Sequence, residues 1–160
     1  MWNGTGGNPF GLPGPEELVR HAFNRTGAAT TLGQLVMFDC ALVDDESVTM
    51  DFGAEDSGLS NMTAPTTAGL VHGFFGIVMD AVADDKKMRV MVRGVIRADL
   101  NDAYGTLNGM QTFSAVDGQD SLEFTTQGAG NRVLARPLSI KDSAGQVAVL
   151  FDGLGSLGVV

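Results

Sequence analysis

The sequence predicts a mostly β protein, a small antiparallel β-barrel or β-sandwich with an extended N-terminal arm and at most one or two short helices. Hydrophobic residues make up 44% of the 160 residues, enough to bury the core of one domain. Short apolar or alternating segments, separated by turn residues, recur about every 8–12 residues, as in small barrels and sandwiches. The 22 glycines follow no Gly-X-Y period and fit many turns between short strands. Long helical patterns are missing, which disfavours a doubly wound α/β fold.

Residues 1–26 are predicted to form the arm. Glycines and prolines alternate over its first half and disfavour regular structure. The segment 15–23 is compatible with a short helix, because proline suits the first helical turn and acidic residues suit a helix N-terminus. Either the arm is a loose terminus, or it lies over a neighbouring subunit with aromatic anchors. Trp2, Phe10 and Phe23 are therefore candidate contacts.

Residues 27–153 are predicted to form the β core. The segment 73–82 is too apolar for a surface strand, so we expect it to be buried on both faces. A charged turn at 84–87 leads into 88–97, where arginines alternate with apolar residues, and this predicts a β-hairpin. The remaining predicted segments are strands at 34–38, 47–52, 110–115, 121–125, 133–140 and 146–151, a long loop at 53–69 and a flexible Gly-rich tail at 154–160.

Three arginines of this hairpin, Arg89, Arg93 and Arg97, recur every four residues, which places them on one face of a regular strand. Like charges at such positions repel each other unless acidic groups face them. Two arrangements are open. The arginines pair with Asp80 or with the acidic turn at 84–85, or they pair with a partner subunit and are candidate contacts to it.

The formal net charge is −9, with 19 acidic and 10 basic residues. Phosphate backbones and anionic membranes both attract basic surfaces, so we expect neither nucleic acid nor membrane as a partner. Cys40 is the single cysteine, which excludes an intrachain disulfide and a Cys-rich metal site. No secretory signal and no apolar run of about 20 residues is found, so we expect a protein made in, and soluble in, a cytoplasm.

Motifs for catalysis are weak. The residues 153–158 match G-x-G-x-x-G, but dinucleotide binding needs a helix after the motif, and only two residues follow it in the sequence. His21 and His72 are the only histidines, and no serine lies in a G-x-S-x-G elbow. The acidic turns at 44–46 and 99–102 carry oxygens but do not fit EF-hand spacing, which favours solvated turns over a cation site. We therefore predict no enzyme activity and no cofactor.

The order of Gly-bounded segments carries a resemblance. It runs TLGQLV at 31–36, GFFGIV at 73–78, GVI within a strand at 90–100, GMQTFSA at 109–115, GNRVLAR at 130–136 and QVAVLF at 146–151. Over residues 27–153, about four-fifths of the chain, this order resembles bacteriophage capsid decoration (cement) proteins with a small β-barrel or β-tulip core. The loop at 53–69 is longer than in the shortest members, and the arm at 1–26 is additional.

The resemblance implies a homotrimer that binds the major capsid protein on the outer surface of the virion shell and stabilises it, with no catalytic residues. Two alternatives belong to other classes. One is another phage structural β-module, from a tail or baseplate. The other is a small enzyme or ligand-binding β-barrel. The single Trp and single Tyr disfavour a sugar site, because such sites favour aromatic platforms.

Overall fold

The computed structural model describes residues 17–38, 60–63, 74–126, 132–155 and 157–158. These residues form strands and no helix, which confirms the mostly β prediction. The strands are β1 (Leu18–Asn24), β2 (Leu35–Phe38), β3 (Ser60–Thr63), β4 (Phe75–Val78), β5 (Lys87–Asp99), β6 (Phe113–Ser114), β7 (Glu123–Phe124), β8 (Ala135–Pro137) and β9 (Gln146–Asp152). Within the described ranges, no helix is long and apolar enough to cross a membrane.

The strands form one curled sheet in the order β1-β3-β2-β4-β5-β9-β8-β6-β7. All pairs are antiparallel except β1 with β3. Because β1 also pairs with β5, the strands β1, β3, β2, β4 and β5 form a closed circuit, which we call the ring. The second half of β5 pairs with β9, and β9 continues to β8, β6 and β7. We call this part the second lobe.

A β-bulge separates the two halves of β5. Val19 of β1 pairs with Met91. The preceding Leu18 pairs with Arg93, so that Val92 is an extra residue on β5. One extra residue reverses the faces to which the following side chains point. Gly94 follows at a φ of 139°, a conformation that favours glycine. The bulge therefore lets one long strand serve two differently curved parts of the sheet.

Buried apolar side chains form two clusters on opposite faces of β2 and β4. Leu35 and Val36 are neighbours on β2 and belong to different clusters, as expected because successive strand residues point to opposite faces. The large cluster fills the second lobe and contains Leu35, Met37, Phe75, Ile77, Ala98, Leu100, Tyr104, Phe113, Ala115, Leu122, Leu134, Ala135, Val147, Val149 and Phe151. The small cluster fills the ring and contains Ala22, Val36, Val78, Met88 and Val90. All four residues of Phe75–Val78 are buried, which confirms the predicted two-sided burial for these residues of 73–82, whereas Phe74 and Ala81 are exposed and the prediction is wrong there.

Three aromatic rings pack at one side of the large cluster. Tyr104 meets Phe113 edge to face, with ring centroids 5.6 Å apart, and Phe124 stacks on Phe113 at 5.9 Å. The Tyr104 hydroxyl donates to the carbonyl of Asn108 at 3.0 Å and accepts from the Asn108 N–H at 2.7 Å. The buried hydroxyl is therefore satisfied by the turn that it holds, while the ring supplies apolar area to the core.

Asn24 closes one end of the ring and is fully buried. Its side-chain nitrogen donates to the carbonyls of Ala28 at 2.7 Å and Ala83 at 3.1 Å. Its side-chain oxygen accepts from the N–H of Thr26 at 3.0 Å. The buried amide thereby joins the end of β1 to the loop before β5, and its polar atoms are satisfied.

The helix expected at 15–23 is wrong for the residues that the structure describes. Leu18–Asn24 is a strand that pairs with β5 along its whole length apart from the bulge. Ala22 and Asn24 point into the ring and are buried, so long-range pairing overrides a local pattern that resembles a helix start. The predicted boundary at residue 26 is therefore too late, because β1 belongs to the core. The loop expected at 53–69 is likewise wrong for Ser60–Thr63, which form β3.

The Gly-rich tail is attached to the body of the protein. Gly153 donates its N–H to the Val92 carbonyl at 2.7 Å and accepts from the Phe75 N–H at 3.0 Å. A Cβ at this position would collide with the Phe75 carbonyl oxygen, so the close approach requires glycine. Further along, the carbonyl of Gly158 accepts from the N–H of Val133 at 2.8 Å. The hydrogen bond at Gly158 attaches part of the predicted tail at 154–160 to the segment before β8, and the flexibility of this tail stays a prediction.

Candidate interaction surface

The first of the three candidate arginines is bound within its own hairpin. The Nη2 of Arg89 lies 2.7 Å from Asp80 Oδ1, and its Nε lies 3.0 Å from Asp80 Oδ2. The backbone N–H of Arg89 also donates to Asp80 Oδ2 at 2.8 Å. These hydrogen bonds hold the pKa of Asp80 below its ordinary value. The prediction that an arginine pairs with Asp80 is confirmed.

The other two arginines pair with acids of the second lobe. Arg93 lies 3.2 Å from Asp152, whose side chain is almost fully buried, and Arg97 lies 2.6 Å from Asp142. Pairing of these arginines with the acidic turn at 84–85 was a wrong expectation, because the register of β5 with β9 sets Arg93 opposite Asp152.

The three arginines do not share one face of β5. Arg89 precedes the bulge at Val92, whereas Arg93 and Arg97 follow it. Because the bulge reverses the alternation, Arg89 lies on the opposite face from the other two. The expectation of a single arginine stripe is therefore wrong.

Of the candidate aromatic contacts, the structure describes Phe23 alone. Phe23 is half-buried, and the guanidinium of Arg25 lies 5.3 Å from the centre of its ring. That contact covers part of the ring within the chain itself. Trp2 and Phe10 lie outside the described residues, as do Cys40, His72 and the acidic turn at 44–46.

An apolar surface lies on the sheet face turned away from the large cluster. On this face Val95 of β5 pairs with Leu150 of β9, and Ala148 lies beside them on β9. Val95 is 46% exposed, and Leu138, whose N–H donates to the Ala148 carbonyl, is 51% exposed. We call Val95, Leu138, Ala148 and Leu150 the outer patch.

Charged and polar groups surround the outer patch. The pair of Arg93 with Asp152 and the pair of Arg97 with Asp142 flank Val95 along β5. Arg136 of β8 lies opposite Leu150 on the other side. An apolar centre with a polar rim is the usual composition of a protein–protein contact. Ion pairs formed within the chain fix the arginine side chains, so binding a partner would order few of them.

The acidic turn at 99–102 uses its polar side chains for hydrogen bonds that hold the fold together. Asp102 accepts from the Phe124 N–H at 2.6 Å, and Asn101 donates to Glu123 at 3.1 Å. Asp99 accepts from Gln146 at 2.9 Å, and burial raises the pKa of its carboxyl above the ordinary value. In the part of the chain that the structure describes, no group of three or more His, Cys, Asp or Glu side chains is arranged to hold a metal ion.

The outer patch is the candidate surface that reasoning from the sequence missed. The signal was present at 146–151, where Ala148 and Leu150 alternate with the buried Val147 and Val149 and all four residues are apolar. A strand of a one-sided sheet would carry polar residues at half of these positions. Apolar residues on both faces thus indicated either a strand buried on both sides within the chain or a strand with one face exposed for contact with another protein.

Comparison of the chain with protein-family models, with curated proteins and with solved structures finds no match in any of the three. The resemblance to capsid decoration proteins therefore stays an interpretation of the order of the Gly-bounded segments.

Proposed function

We propose that the chain is a non-enzymatic virion structural protein that binds the outer surface of the major capsid protein lattice as a trimer and stabilises the shell. The observation that best supports this proposal is the outer patch. It presents apolar side chains of β5 and β9, together with Leu138, at the surface of a domain whose large core lies on the opposite face of the sheet. Exposed contiguous apolar surface with a polar rim is typical of protein–protein contacts.

Electrostatics agree with a position outside the shell. The net charge of −9 gives no attraction to the packaged genome, and four described arginines are already paired with aspartates of the same chain. Apolar burial at the outer patch, with the charge pairs at its rim, would therefore supply most of the contact.

Such a protein stabilises a shell by mass action. A protein that binds the assembled lattice, and not the free capsid subunit, shifts the equilibrium toward the assembled state. Several weak contacts per trimer act together, because the first contact raises the effective concentration for the others. No chemical step is required.

The test is binding to shells that lack the protein, measured by co-sedimentation. The variant Val95→Asp places a charge in the centre of the outer patch, at a position exposed enough for the fold to survive. The matched control is Leu107→Asp, which changes an apolar side chain that is 56% exposed in the turn after β5. We expect the control to bind as the unchanged chain does and Val95→Asp to bind at least about tenfold more weakly, since an unpaired charge would be buried. Equal binding by the two variants contradicts a role for the patch.

The trimer is tested separately by light scattering of the full chain at micromolar concentration. We expect a mass about three times the 16.7 kDa of one chain. A mass of one chain over the whole concentration range would contradict the trimer. Shell binding would still be judged by the co-sedimentation test alone.

A further inference from the structure

A cavity of about 350 Å³ lies at the end of the ring opposite Asn24. Leu18, Arg20 and Ala22 alternate along β1 and line one wall of it, as expected for residues that point into the ring. Among the described residues, the lining consists of Leu18, Arg20, Ala22, Phe38, Phe74, Phe75, Val90, Val92 and Leu154. We call this cavity the ring mouth.

Apart from Arg20, the described residues that line the ring mouth are apolar. Ala22 and Val90 form part of its floor and belong to the small cluster. At its rim Phe74 is 49% exposed and Leu154 is 39% exposed. Mouths of β-barrels are frequent ligand sites, and ligand pockets hold roughly 300–1,000 Å³. The ring mouth lies at the lower end of that range and suits a small ligand with a large apolar part.

Arg20 is the one charged side chain among the described residues of the lining. It is exposed, and no described carboxylate lies within ion-pair distance of it. The arginines 25, 89, 93 and 97 differ, because each is paired with an aspartate. An arginine can lay its alkyl stem along an apolar wall and keep its guanidinium at the rim. The ring mouth thus combines an apolar interior with one cation that has no carboxylate partner among the described residues.

We propose that the ring mouth binds a single-chain amphiphile with a carboxylate head, its alkyl chain inside the ring and its carboxylate on the Arg20 guanidinium. Charge complementarity selects this ligand class, because guanidinium groups bind carboxylates in a bidentate geometry. A sugar or a nucleotide would need several polar partners, and Arg20 is the one polar side chain that the described part of the lining offers. The site is separate from the outer patch and goes beyond the proposed binding of shells.

The experiment titrates the full chain with decanoate in a calorimeter and compares decyltrimethylammonium, which has the same chain length and the opposite charge. We expect one decanoate per chain and binding of the cation that is at least about tenfold weaker. Failure of decanoate to bind would overturn the proposal. Equal binding of the two amphiphiles would overturn the role of Arg20 and with it the ligand class.

Variants locate the ligand within the ring. Arg20→Gln should weaken decanoate binding at least about tenfold, and Val92→Phe should abolish it by filling the cavity. Arg136→Gln is the matched control, because Arg136 is exposed and does not line the ring mouth. Each variant is first checked for an unchanged far-ultraviolet circular dichroism spectrum. If Arg136→Gln weakens binding as much as Arg20→Gln, the ligand is attracted to the surface in general and the proposal is wrong.

Discussion

The two clusters of the molecule differ in size, composition and closure. In the large cluster, the rings of Tyr104 and Phe113 contact each other and the adjacent Phe124, and the cluster joins residues from six strands and their connections. The small cluster consists of short aliphatic side chains and Met88, with Asn24 at one end of the ring and the ring mouth at the other. Since burial stabilises roughly in proportion to apolar area, most of the folding free energy is expected in the second lobe.

The ring and the second lobe differ in packing although they belong to one sheet. Strands β2 and β4 contribute to both clusters, so neither part can be removed without exposing the other. Pre-formed ligand sites need empty volume, whereas cores are stable when they are closely packed. The ring has an empty volume, and the second lobe is expected to supply most of the folding free energy. The following variants compare the contributions of the two parts to stability.

Truncation of the large cluster should have the largest effect. Phe151→Ala removes a fully buried ring and should lower the free energy of unfolding by about 3–5 kcal/mol. Met88→Ala in the small cluster should cost about 2 kcal/mol, because truncating a methionine removes less buried apolar area than truncating a phenylalanine ring. Urea unfolding followed by circular dichroism measures both. A larger loss for Met88→Ala than for Phe151→Ala would reverse the comparison.

Gly153→Ala should come next, at about 3 kcal/mol, the upper end of the range for overpacking. The new methyl group would collide with the Phe75 carbonyl oxygen where the tail joins β4 to β5. Gly118→Ala in an open turn serves as the control, since no atom lies within 4 Å of the new methyl group and only its φ of 73° opposes alanine. Thermal melting of the two variants should show the greater loss for Gly153→Ala, and equal losses would mean that the close approach is unimportant.

Asn24→Ala tests the closed end of the ring and should destabilise by about 2 kcal/mol. The change removes a fully buried side chain whose nitrogen donates to the carbonyls of Ala28 and Ala83, and each lost hydrogen bond costs about 0.5–1.5 kcal/mol. Urea unfolding again measures the loss. Thr26→Ala, which removes a more exposed hydroxyl from the same turn, should cost less; the opposite order would show that Asn24 does not hold this end.

The smallest effect should be a change in pH dependence. Burial raises the pKa of Asp99 above its ordinary value, so the folded chain keeps the proton to a higher pH than the unfolded chain does. The stability that depends on this group therefore falls as pH rises from about 3.8 through the raised folded value. Asp99→Asn keeps the acceptor for Gln146 and should be more stable than the unchanged chain above this window and equal to it below.

Asp80→Asn gives the control of opposite sign. Its hydrogen bonds with Arg89 lower the pKa of Asp80, so the stability from this pair is present above the ordinary value and is lost as pH falls through the folded value. Urea midpoints between pH 3 and pH 7 measure both variants. The same direction of change for the two would contradict the assigned causes.

The sequence predicts the parts of this fold that depend on local patterns. The segments 73–82, 88–97 and 146–151 contain strands because their apolar patterns and bounding turns act over a few residues. The pairing of Arg89 with Asp80 follows from the same hairpin. Strand β1 was missed because three successive residues, Val19, Arg20 and His21, are exposed and its inward side chains become evident only through pairing with β5.

The candidate sites depend on long-range geometry that the sequence does not reveal. The partners of Arg93 and Arg97 lie about 45 to 60 positions further along the chain and follow from the register of β5 with β9. A single extra residue, Val92, reverses the faces of β5, and among the residues around it Gly94 was the one local sign of this bulge. The ring mouth brings together residues from Leu18 to Leu154, and no local pattern specifies a cavity.

The central claim is that the chain stabilises a capsid shell, and the heat stability of particles tests it most directly. Under the proposed function, phage particles that lack the protein are heated with and without a saturating amount of the purified protein, and genome release is followed with a DNA-binding dye. We predict that the release temperature rises with the protein and with Leu107→Asp, and rises less or not at all with Val95→Asp. An unchanged release temperature at saturation would contradict the account.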